Sequence, residues 1–531
     1  MNSPFNEQKY KDLLEGLEIT EILLSEVLKE NFTRRIDSEY FKKEYLKITE
    51  IIEKQQFDIL SKIGKIKGGK RLPLGENFSE EGVPYIRAQD IKNSFVDYSN
   101  SPKISLQLHK ILQRYQTRKN DVLITNVGNS IGDVGIIKFD LDKCNLTENA
   151  VKVIVEKVLP EFLFVFLLSK YGNLQIRREA VGTAQPKLAL ERINLFKVPL
   201  LSLDFQNKIE EIVKTAHLKR EQSQTLYRQA EELLLETIGL EPGFSGLKDE
   251  QDYNKEKSCK SSNQENQGSD NNKDCQDFLP QSTTKDIHKG TQRKNLVNLE
   301  NLTEILVQTK TQTNYNIKTF KESFLTTGRL DAEYYQPKYE NYINLVKKYE
   351  FGYELLQNVC NLKDSNFTPD ETKEYQYIEL ADIGKSGNIT GCTVAQGNEL
   401  PSRARRKVNT SDVIISSIEG SLESCALITN DYNNALCSTG FYVINSEKIN
   451  SETLLVLFKS EVIQNIMKQG CSGTILTAIN KTEFQNISIP LINKEIQQQI
   501  SAFIQESFAL RRQSEQLLDE AKEMVEREIN N

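Results

Sequence analysis

The sequence has 531 residues, of which 38% are hydrophobic and 27% are charged, proportions typical of a folded protein with about three or four domains rather than a disordered or fibrous chain. A net charge of −7 excludes a protein that is basic throughout, so any contact with nucleic acid needs a local basic face. No stretch of 18 apolar residues occurs, which excludes a membrane-spanning helix, and residues 1–9 lack a signal-peptide core, so we expect a cytoplasmic protein.

The first predicted element is a helical segment at residues 1–50. Its apolar residues recur at steps of three and four, the spacing of one helix face: Ile19, Ile22, Leu23, Leu28, Ile48, Ile51 and Ile52. The segment also contains the block Arg35-Ile-Asp-Ser-Glu-Tyr-Phe41.

Residues 51–200 are predicted to form a mixed α/β domain. Short apolar runs separated by Gly- and Pro-containing turns indicate strands, and they are Val122–Ile124, Val134–Ile137 and Val151–Val155. One or two helices are predicted from Leu163 to Lys170 and on to Arg177. The domain carries 23 Lys and Arg against 16 Asp and Glu, so it has the basic surplus that phosphate binding requires.

A long helix is predicted at residues 201–241. Its inner positions alternate between steps of three and four, the spacing of a coiled-coil seam: Ile209, Ile212, Ala216, Lys219, Ser223, Leu226, Ala230 and Leu233. We expect this helix to pack on its counterpart near the end of the chain. The alternative is that each helix packs only on its own domain.

Residues 242–298 are predicted to be a flexible polar linker. Lys248–Asn272 is rich in Asn, Gln, Ser, Lys and Asp and almost free of large apolar side chains. Such a segment buries too little apolar surface to offset the entropy of ordering.

The rest of the chain repeats these elements: a helical segment at 299–350, a domain at 351–492 and a long helix at 493–531. Four blocks recur in order, 291 to 294 residues later, at Arg329–Tyr335, Tyr377–Ile383, Asp412–Ser416 and Gly473-Thr474, matching Arg35–Phe41, Tyr85–Ile91, Asp121–Thr125 and Gly182-Thr183. The second helix repeats the heptad at Ile500, Phe503, Ser507, Leu510, Ser514, Leu517, Ala521 and Met524. The chain is therefore an internal duplication.

Signatures of catalysis are missing from the sequence. It has no Pro-Pro pair, as the catalytic tetrapeptide of an adenine methyltransferase requires, and no Pro-Cys pair, as a cytosine-C5 methyltransferase requires. Gly64–Lys70 has the wrong spacing for a phosphate-binding loop. The eight cysteines form no Cys-x-x-Cys pair and there are three histidines, so the clustered ligands of a zinc site are absent. These observations favour a binding protein over an enzyme.

The repeated blocks resemble the family of Type I restriction–modification specificity subunits. The matching pieces are Arg35–Phe41, Glu81–Ile91, Asn120–Thr125 and Gly182–Lys187 in the first copy, and Arg329–Tyr335, Ser411–Ile415 and Gly473-Thr474 in the second. The second copy departs from the pattern, because Ile475-Leu-Thr-Ala478 replaces the Gln-Pro run. The linker is also longer than is usual in the family.

The resemblance implies two tandem α/β (α+β) target-recognition domains joined by long antiparallel coiled-coil helices. Each domain would read one half of a bipartite site in double-stranded DNA. The helices would dock two modification (methyltransferase) subunits, which bind S-adenosylmethionine. Restriction (motor-nuclease) subunits, which use ATP and Mg, would join them. This chain would bind no cofactor or metal, contact no membrane and catalyse nothing.

Residues of two kinds are candidates for DNA contact within this interpretation. Basic side chains would hold phosphates without reading sequence, namely Lys67, Lys70, Arg71, Lys187, Arg403, Arg405, Arg406 and Lys407. Polar side chains on turns would reach base edges, namely Asn126, Asn129, Ser130, Thr183, Gln185 and Thr474. The alternative for each turn residue is that its side chain only stabilises the turn, through hydrogen bonds to the local backbone.

Two rival functions remain open from the sequence. One is the recognition subunit of another multi-subunit restriction or phage-defence methylation system, which would share the tandem domains and differ in its partners. The other is a coiled-coil scaffold without a nucleic-acid role, which would not need domains of about 150 residues punctuated by Gly and Pro.

Overall fold

In the computed structural model, the described residues are 6–14, 21–25, 27, 35–99, 101–128, 130–139, 144–182, 186–240, 316–473 and 477–531. The predicted linker at 242–298 lies outside them. The chain divides into two units, which are Met1–Leu226 with Glu506–Asn531 and Tyr227–Gln505. Each unit contains one mixed α/β domain, so the predicted pair of tandem α/β domains is confirmed.

The sheets of unit 1 are short and mostly antiparallel. One sheet has the strand order Gly64–Gly68, Ala150–Val155, Val122–Thr125, Val134–Ile136 and Ser94–Phe95, with only the last pair parallel. A second has the order Lys103–Ile104, Val83–Ile86, Cys144–Leu146 and Gln116–Thr117. Phe57–Ile59 pairs with Lys197–Pro199, so the first and last strands of the domain are neighbours.

The helices of unit 1 range from exposed, as in Glu7–Leu14, to almost fully buried, as in Pro160–Leu168. They are Glu7–Leu14, Lys43–Glu53, Leu60–Ile63, Leu106–Ile111, Pro160–Leu168, Lys170–Glu179, Leu190–Ile193 and the first part of Leu203–Thr237. The helix Pro160–Leu168 is buried on all sides from Glu161 to Leu167, as expected for a helix without a polar face. Its one charged residue, Glu161, pairs through Oε1 with the buried ammonium group of Lys138, whereas its Oε2 atom has no hydrogen-bond partner among the described residues.

The sheets of unit 2 follow the same strand order, except that the first sheet has four described strands rather than five. The first has the order Asn361–Lys363, Phe441–Asn445, Val413–Ser416 and Cys425–Leu427, and the second has the order Thr393–Gln396, Glu374–Ile378, Leu436–Ser438 and Ala404–Lys407. Tyr353–Leu355 pairs with Ser488–Pro490, and Cys471–Ser472 pairs with Ala478–Ile479. In the second sheet of each unit, the two central strands are parallel: Val83–Ile86 pairs with Cys144–Leu146, and Glu374–Ile378 pairs with Leu436–Ser438.

The helices of unit 2 largely follow the order of those in unit 1, without a described counterpart of Leu106–Ile111. They are Phe324–Thr327, Pro337–Lys347, Leu356–Val359, Ser451–Lys459, Glu461–Gly470, Lys481–Gln485 and the first part of Lys494–Asn530. Among the described helices of both units, none is both long enough and apolar enough to cross a bilayer.

Parts of both long helices pack against each other within unit 1. The Ser514 hydroxyl donates to the Ala216 carbonyl at 2.7 Å, and the Ser507 hydroxyl donates to the Ser223 carbonyl at 2.8 Å. Because the residue numbers rise along one helix as they fall along the other, these segments run antiparallel. A hydroxyl reaches a neighbouring backbone carbonyl only where small residues line the contact.

The same segment of the second long helix completes the core of unit 1. Its inner residues belong to the hydrophobic cluster that also holds Ile52, Phe162 and Val198, and they are Leu518, Ala521, Val525 and Ile529. The helix end is also tied by hydrogen bonds, since Tyr171 donates to Asn530 at 2.7 Å and Gln55 donates to the Ile529 carbonyl at 2.6 Å.

The buried stripe of the long helices differs from the predicted seam in one of its two positions. Ile209, Ala216, Ser223 and Ala230, and Ile500, Ser507, Ser514 and Ala521, are fully buried, as the heptad pattern predicts. The second buried position is one residue later than predicted: Val213, Tyr227, Leu234, Ile504, Arg511, Leu518 and Val525 are buried, whereas their predicted neighbours are at best half-buried. In unit 1 the inner face meets the domain as well as the other helix, so the apolar stripe is wider than a two-position seam.

Replacing Ser514 with Ile is expected to lower the free energy of unfolding by about 1–3 kcal/mol, because a larger side chain overpacks a contact that joins a hydroxyl to a backbone carbonyl. Thermal or denaturant unfolding of the full chain measures the change. Gln516→Ile is the matched control, because Gln516 is exposed on the same helix and its replacement should shift stability by no more than about 0.5 kcal/mol. Equal destabilisation by both variants would contradict the close contact.

Candidate nucleic-acid interface

The repeated block that begins at Asp121 in the first copy and at Asp412 in the second follows a tight turn in both domains. Asn120 and Ser411 have φ of 69° and 70°, a left-handed conformation that is uncommon for residues other than glycine. The following carboxylate stabilises each turn, since Asp121 accepts from the Arg118 amide at 3.1 Å and Asp412 accepts from the Asn409 amide at 2.8 Å. These aspartates are buried, so the blocks keep the same turn in both copies and do not themselves face a ligand.

Four separate segments meet at one edge of the first sheet of unit 1. The Gly69 amide donates to the Ala150 carbonyl at 3.0 Å, and the Lys70 amide donates to the Leu146 carbonyl at 2.9 Å. The Asn126 amide donates to the Asn149 carbonyl at 2.9 Å, and the Leu188 amide donates to the Asn126 carbonyl at 2.9 Å. We call residues 69–71, 126–128, 146–149 and 186–188 the loop edge of unit 1.

Backbone hydrogen bonds repeat at the equivalent edge of unit 2, 291 residues later. The Ser417 amide donates to the Gly440 carbonyl at 2.9 Å, the Ile479 amide donates to the Ser417 carbonyl at 2.9 Å and the Glu419 amide donates to the Thr477 carbonyl at 3.0 Å. Their counterparts in unit 1 are the bonds from Asn126, Leu188 and Gly128. Residues 417–419, 438–440 and 477–479 form the loop edge of unit 2, which therefore has the same backbone frame with different side chains.

The predicted phosphate-binding residues of the first domain lie at or beside its loop edge. Lys67 is exposed and sits opposite Lys152 in the paired strands, and the exposed Lys70 and Arg71 follow directly. Arg71 pairs with Glu148 at 2.5 Å. Burial is the largest single influence and would raise the pKa of Glu148. The hydrogen bond and the charge of Arg71, together with hydrogen bonds from the Glu148 amide and from Thr147, outweigh burial, and the pKa is lowered. Because Arg71 remains largely exposed, this ion pair is weak enough to exchange for a phosphate.

The predicted base-contacting residues are placed only in part. Asn126 lies on the loop edge, beside the predicted phosphate contact Lys187, which is exposed and paired in register with Val127. The Oδ1 atom of Asn126 is buried and has no hydrogen-bond partner among the described residues. Ser130 is half-buried in the adjoining turn, where its carbonyl accepts from the Asp133 amide at 3.0 Å. The other four, Asn129, Thr183, Gln185 and Thr474, lie outside the described residues.

The four basic residues predicted to contact DNA in the second domain, at positions 403 and 405–407, have different neighbours in the structure. Arg403 pairs with Glu379 at 3.5 Å, and its carbonyl accepts from the Thr439 amide at 2.9 Å, beside the loop edge. Arg405 donates to the Ser402 carbonyl at 3.0 Å, and Lys407 lies over the Phe367 ring at 5.6 Å. Arg406 is half-buried, and its Nε and Nη1 atoms lack hydrogen-bond partners among the described residues. Strand alternation prevents these four charges from acting as one patch.

Arg35 and Arg329, which were not among the predicted site residues, occupy equivalent positions in the two copies. Each contacts the segment that precedes the Gly-Thr pair of its own domain. Arg35 donates to the carbonyls of Arg178 and Ala180 at 2.8 and 3.4 Å. Arg329 donates to the carbonyls of Gln469 and Cys471 at 3.4 and 3.2 Å. The available signal was the recurrence of Arg-x-Asp-x-Glu-Tyr in both copies, but the contacted carbonyls are about 140 residues away and only the fold joins them.

In the described part of the chain, possible metal ligands do not cluster and most cysteine thiols are buried. No group of three or more His, Cys, Asp or Glu side chains there is placed to hold a metal ion. Burial raises the pKa of Cys144, Cys360, Cys425 and Cys471 to about 12. Thiols of such high pKa are poor nucleophiles and poor metal ligands at neutral pH.

Comparison with known proteins identifies one family. The family model described as the Type I restriction modification DNA specificity domain matches residues 53–231 and 354–523. The Type I restriction enzyme EcoBI specificity subunit of Escherichia coli is 30% identical over 132 residues, which are 24% of this chain and 27% of that protein. The match thus spans about a quarter of that relative.

Two solved structures are also similar over most of their length. The Type-I restriction-modification system S subunit from M. genitalium is 11% identical, with a TM-score of 0.33 over 88% of this chain and 92% of that one. The HsdS subunit from Thermoanaerobacter tengcongensis is 15% identical, with a TM-score of 0.25 over 90% and 96%. These scores are too low to show more than the family match already shows.

Replacing Gly69 with Ala should disrupt the loop edge of unit 1, because a Cβ atom there would lie 1.9 Å from the Thr147 carbonyl oxygen. We expect a loss of stability of about 1–3 kcal/mol, measured by thermal unfolding. Gly420→Ala is the matched control, because no atom lies within 4 Å of a Cβ at that glycine, which lies in the short 3-10 helix Glu419–Ser421. A Gly69→Ala variant as stable as Gly420→Ala would show that the loop edge is not built as described.

Proposed function

The chain belongs to the Type I restriction modification DNA specificity family, and we propose that it reads a bipartite DNA site, one half with each domain, for a Type I restriction–modification complex. The observation that carries this proposal is the duplicated loop edge. Two domains share the same backbone bonds at that edge, while the side chains displayed there differ. A shared frame with different side chains suits the reading of two different short sequences.

The differences between the two loop edges indicate that the half-sites differ. Asn126, Val127 and Gly128 of the first domain correspond to Ser417, Ile418 and Glu419 of the second. The carboxylate of Glu419 could accept from the amino group of cytosine, whereas Gly128 at the equivalent position offers no side chain to a base. Each good contact contributes about 1–3 kcal/mol of discrimination. The exposed Lys67, Lys70 and Lys187 would hold phosphates and fix the register without reading sequence.

The long helices would serve as the spacer and docking site of the complex. Their antiparallel contact within unit 1 at Ser223, Ser507 and Ser514 supports an antiparallel coiled coil. We propose that the helices dock two methyltransferase subunits and that restriction subunits join this assembly. The relative from E. coli is named as a subunit of a Type I restriction enzyme.

Catalysis would belong to those partners. S-adenosylmethionine would be bound by the methyltransferase subunits, and ATP and Mg by the restriction subunits. The proposed role of this chain is to bring the methyltransferase to an adenine inside each half-site. The absence of methyltransferase motifs from the sequence supports this division.

Deleting the gene from its host should abolish methylation at one bipartite motif and leave all other methylated motifs intact, because this chain directs the enzyme and does not methylate. Methylome sequencing of the deletion strain, the parent and a complemented strain measures the effect. A methylome that is identical with and without the chain, in a host expressing the partner subunits, would rule out the proposed function.

Exchanging residues 51–200 for the corresponding domain of another family member should change one half of the recognised site only. The exchange is feasible because Phe57–Ile59 and Lys197–Pro199 are paired strands at the two ends of the domain. Methylome sequencing of a host carrying the chimera identifies the new site. The reciprocal exchange of residues 351–492 is the matched control and should change only the other half. Simultaneous change of both halves by either chimera would contradict independent reading.

A further inference from the structure

Each copy carries an arginine that is held by its own block and points at the end of a helix. The guanidinium of Arg35 donates to Asp37 through Nε and Nη2 at 2.7 and 2.6 Å, and the guanidinium of Arg329 donates to Asp331 at 2.8 and 2.6 Å. This two-point pairing fixes the plane of the guanidinium. It also raises the pKa of each arginine and lowers the pKa of each aspartate.

An aromatic ring holds each guanidinium from another side. Arg35 lies over the Tyr40 ring at 4.9 Å, and Arg329 lies over the Tyr334 ring at 4.4 Å. With two contacts fixed by its own block, the guanidinium has its Nη1 atom left to donate to the helix carbonyls. We call Arg35, Asp37 and Tyr40, and likewise Arg329, Asp331 and Tyr334, the arginine clamp.

The clamp binds the carboxyl-terminal end of a helix. The helix Lys170–Glu179 ends between the two carbonyls that Arg35 contacts, and Glu461–Gly470 ends between the two that Arg329 contacts. The last carbonyls of a helix lack partners within it and carry partial negative charge. A cation that donates to them stabilises the helix end and fixes the direction in which the chain leaves it.

A second hydrogen bond joins the clamped helix to the arginine-containing block in both copies, although the donating side chain differs. Arg178 donates through Nε to the Tyr40 carbonyl at 3.0 Å, and Gln469, at the equivalent position, donates through Nε2 to the Tyr334 carbonyl at 2.9 Å. The two copies have diverged at most positions, so a contact preserved through a change of side chain indicates that the geometry itself is required.

The clamped segment leads directly to the loop edge in both domains. After the Ala180 carbonyl, Val181 and Lys187 exchange backbone bonds of 2.9 and 2.8 Å, and Lys187 is also in register with Val127. In the second domain Cys471 is clamped, Ser472 pairs with Ala478 and Ala478 is in register with Ile418. The chain of contacts from arginine to loop edge is thus the same in both copies.

We propose that Arg35 and Arg329 are positioning residues for DNA reading: each fixes the loop edge of its own domain, and so controls discrimination at one half-site without contacting DNA. This inference rests on the proposed function. Lysine cannot replace arginine here, because a single ammonium group cannot pair with the aspartate through two atoms and also reach the two carbonyls.

The test uses the full chain assembled with its methyltransferase subunits. The measured quantity is the ratio of affinities for a duplex carrying the intact bipartite site and for duplexes with one half-site scrambled. Arg35→Lys should lower the ratio for one half-site about tenfold, the scale of one lost base contact, and leave the other ratio unchanged. Arg329→Lys should do the reverse.

Two further variants separate positioning from general destabilisation. Asp37→Asn, which keeps the size of the side chain and removes its charge, should weaken discrimination at the same half-site as Arg35→Lys but by a smaller factor. Arg177→Lys, at an exposed arginine on the clamped helix, should change neither ratio. Thermal unfolding of all variants provides the comparison for stability.

The outcomes are distinguishable. Equal loss at both half-sites with Arg35→Lys, or no loss at either, would overturn the positioning role while leaving the proposed function intact. A wild-type complex that does not discriminate either half-site would overturn the proposed function itself.

Discussion

The packing of the second long helix into the core of unit 1 is the contact on which the rest of the first domain depends. Leu518, Ala521, Val525 and Ile529 share a hydrophobic cluster with residues of the amino-terminal domain. A side chain of this kind contributes about 1.5–3 kcal/mol when it is fully buried. Unit 1 therefore has a complete core only when residues 506–531 are present, so the first domain depends on a helix that belongs to the second copy of the repeat.

The contacts between the long helices show the duplication at the level of single atoms. Ala216 and Ser507 occupy equivalent repeat positions, as do Ser223 and Ser514. The contact of Ser514 with Ala216 and the contact of Ser507 with Ser223 therefore each join the same two positions of the repeat. The position that the first helix contributes to one contact is contributed by the second helix to the other. Small side chains are retained at these positions because any larger group would separate the helices.

Both domains keep a buried aspartate at the same position of the repeat, but the lysine that pairs with it comes from different strands. The buried Asp121 pairs with Lys152 at 3.9 Å, whereas its counterpart Asp412 pairs with Lys363 at 2.7 Å on a different strand. A buried carboxylate without a partner is costly, so each copy supplies a cation from whichever strand can reach it. The same constraint keeps the backbone of the loop edge constant and leaves its side chains free to differ, as the proposed reading of two half-sites requires.

The sequence alone determined the duplication, the order of helical and mixed α/β segments and one of the two buried positions of the long helices, because these follow from local spacing and repetition. It also placed Lys67, Lys70 and Asn126 among the candidates, without showing that they lie on one edge. Only the tertiary structure decided that Gly69 meets Thr147, that Arg35 reaches the Ala180 carbonyl and that the second buried helix position is Val213. Each of these depends on strands and helices distant in the sequence, whose pairing is set by backbone hydrogen bonds and by core packing rather than by the local pattern of residues.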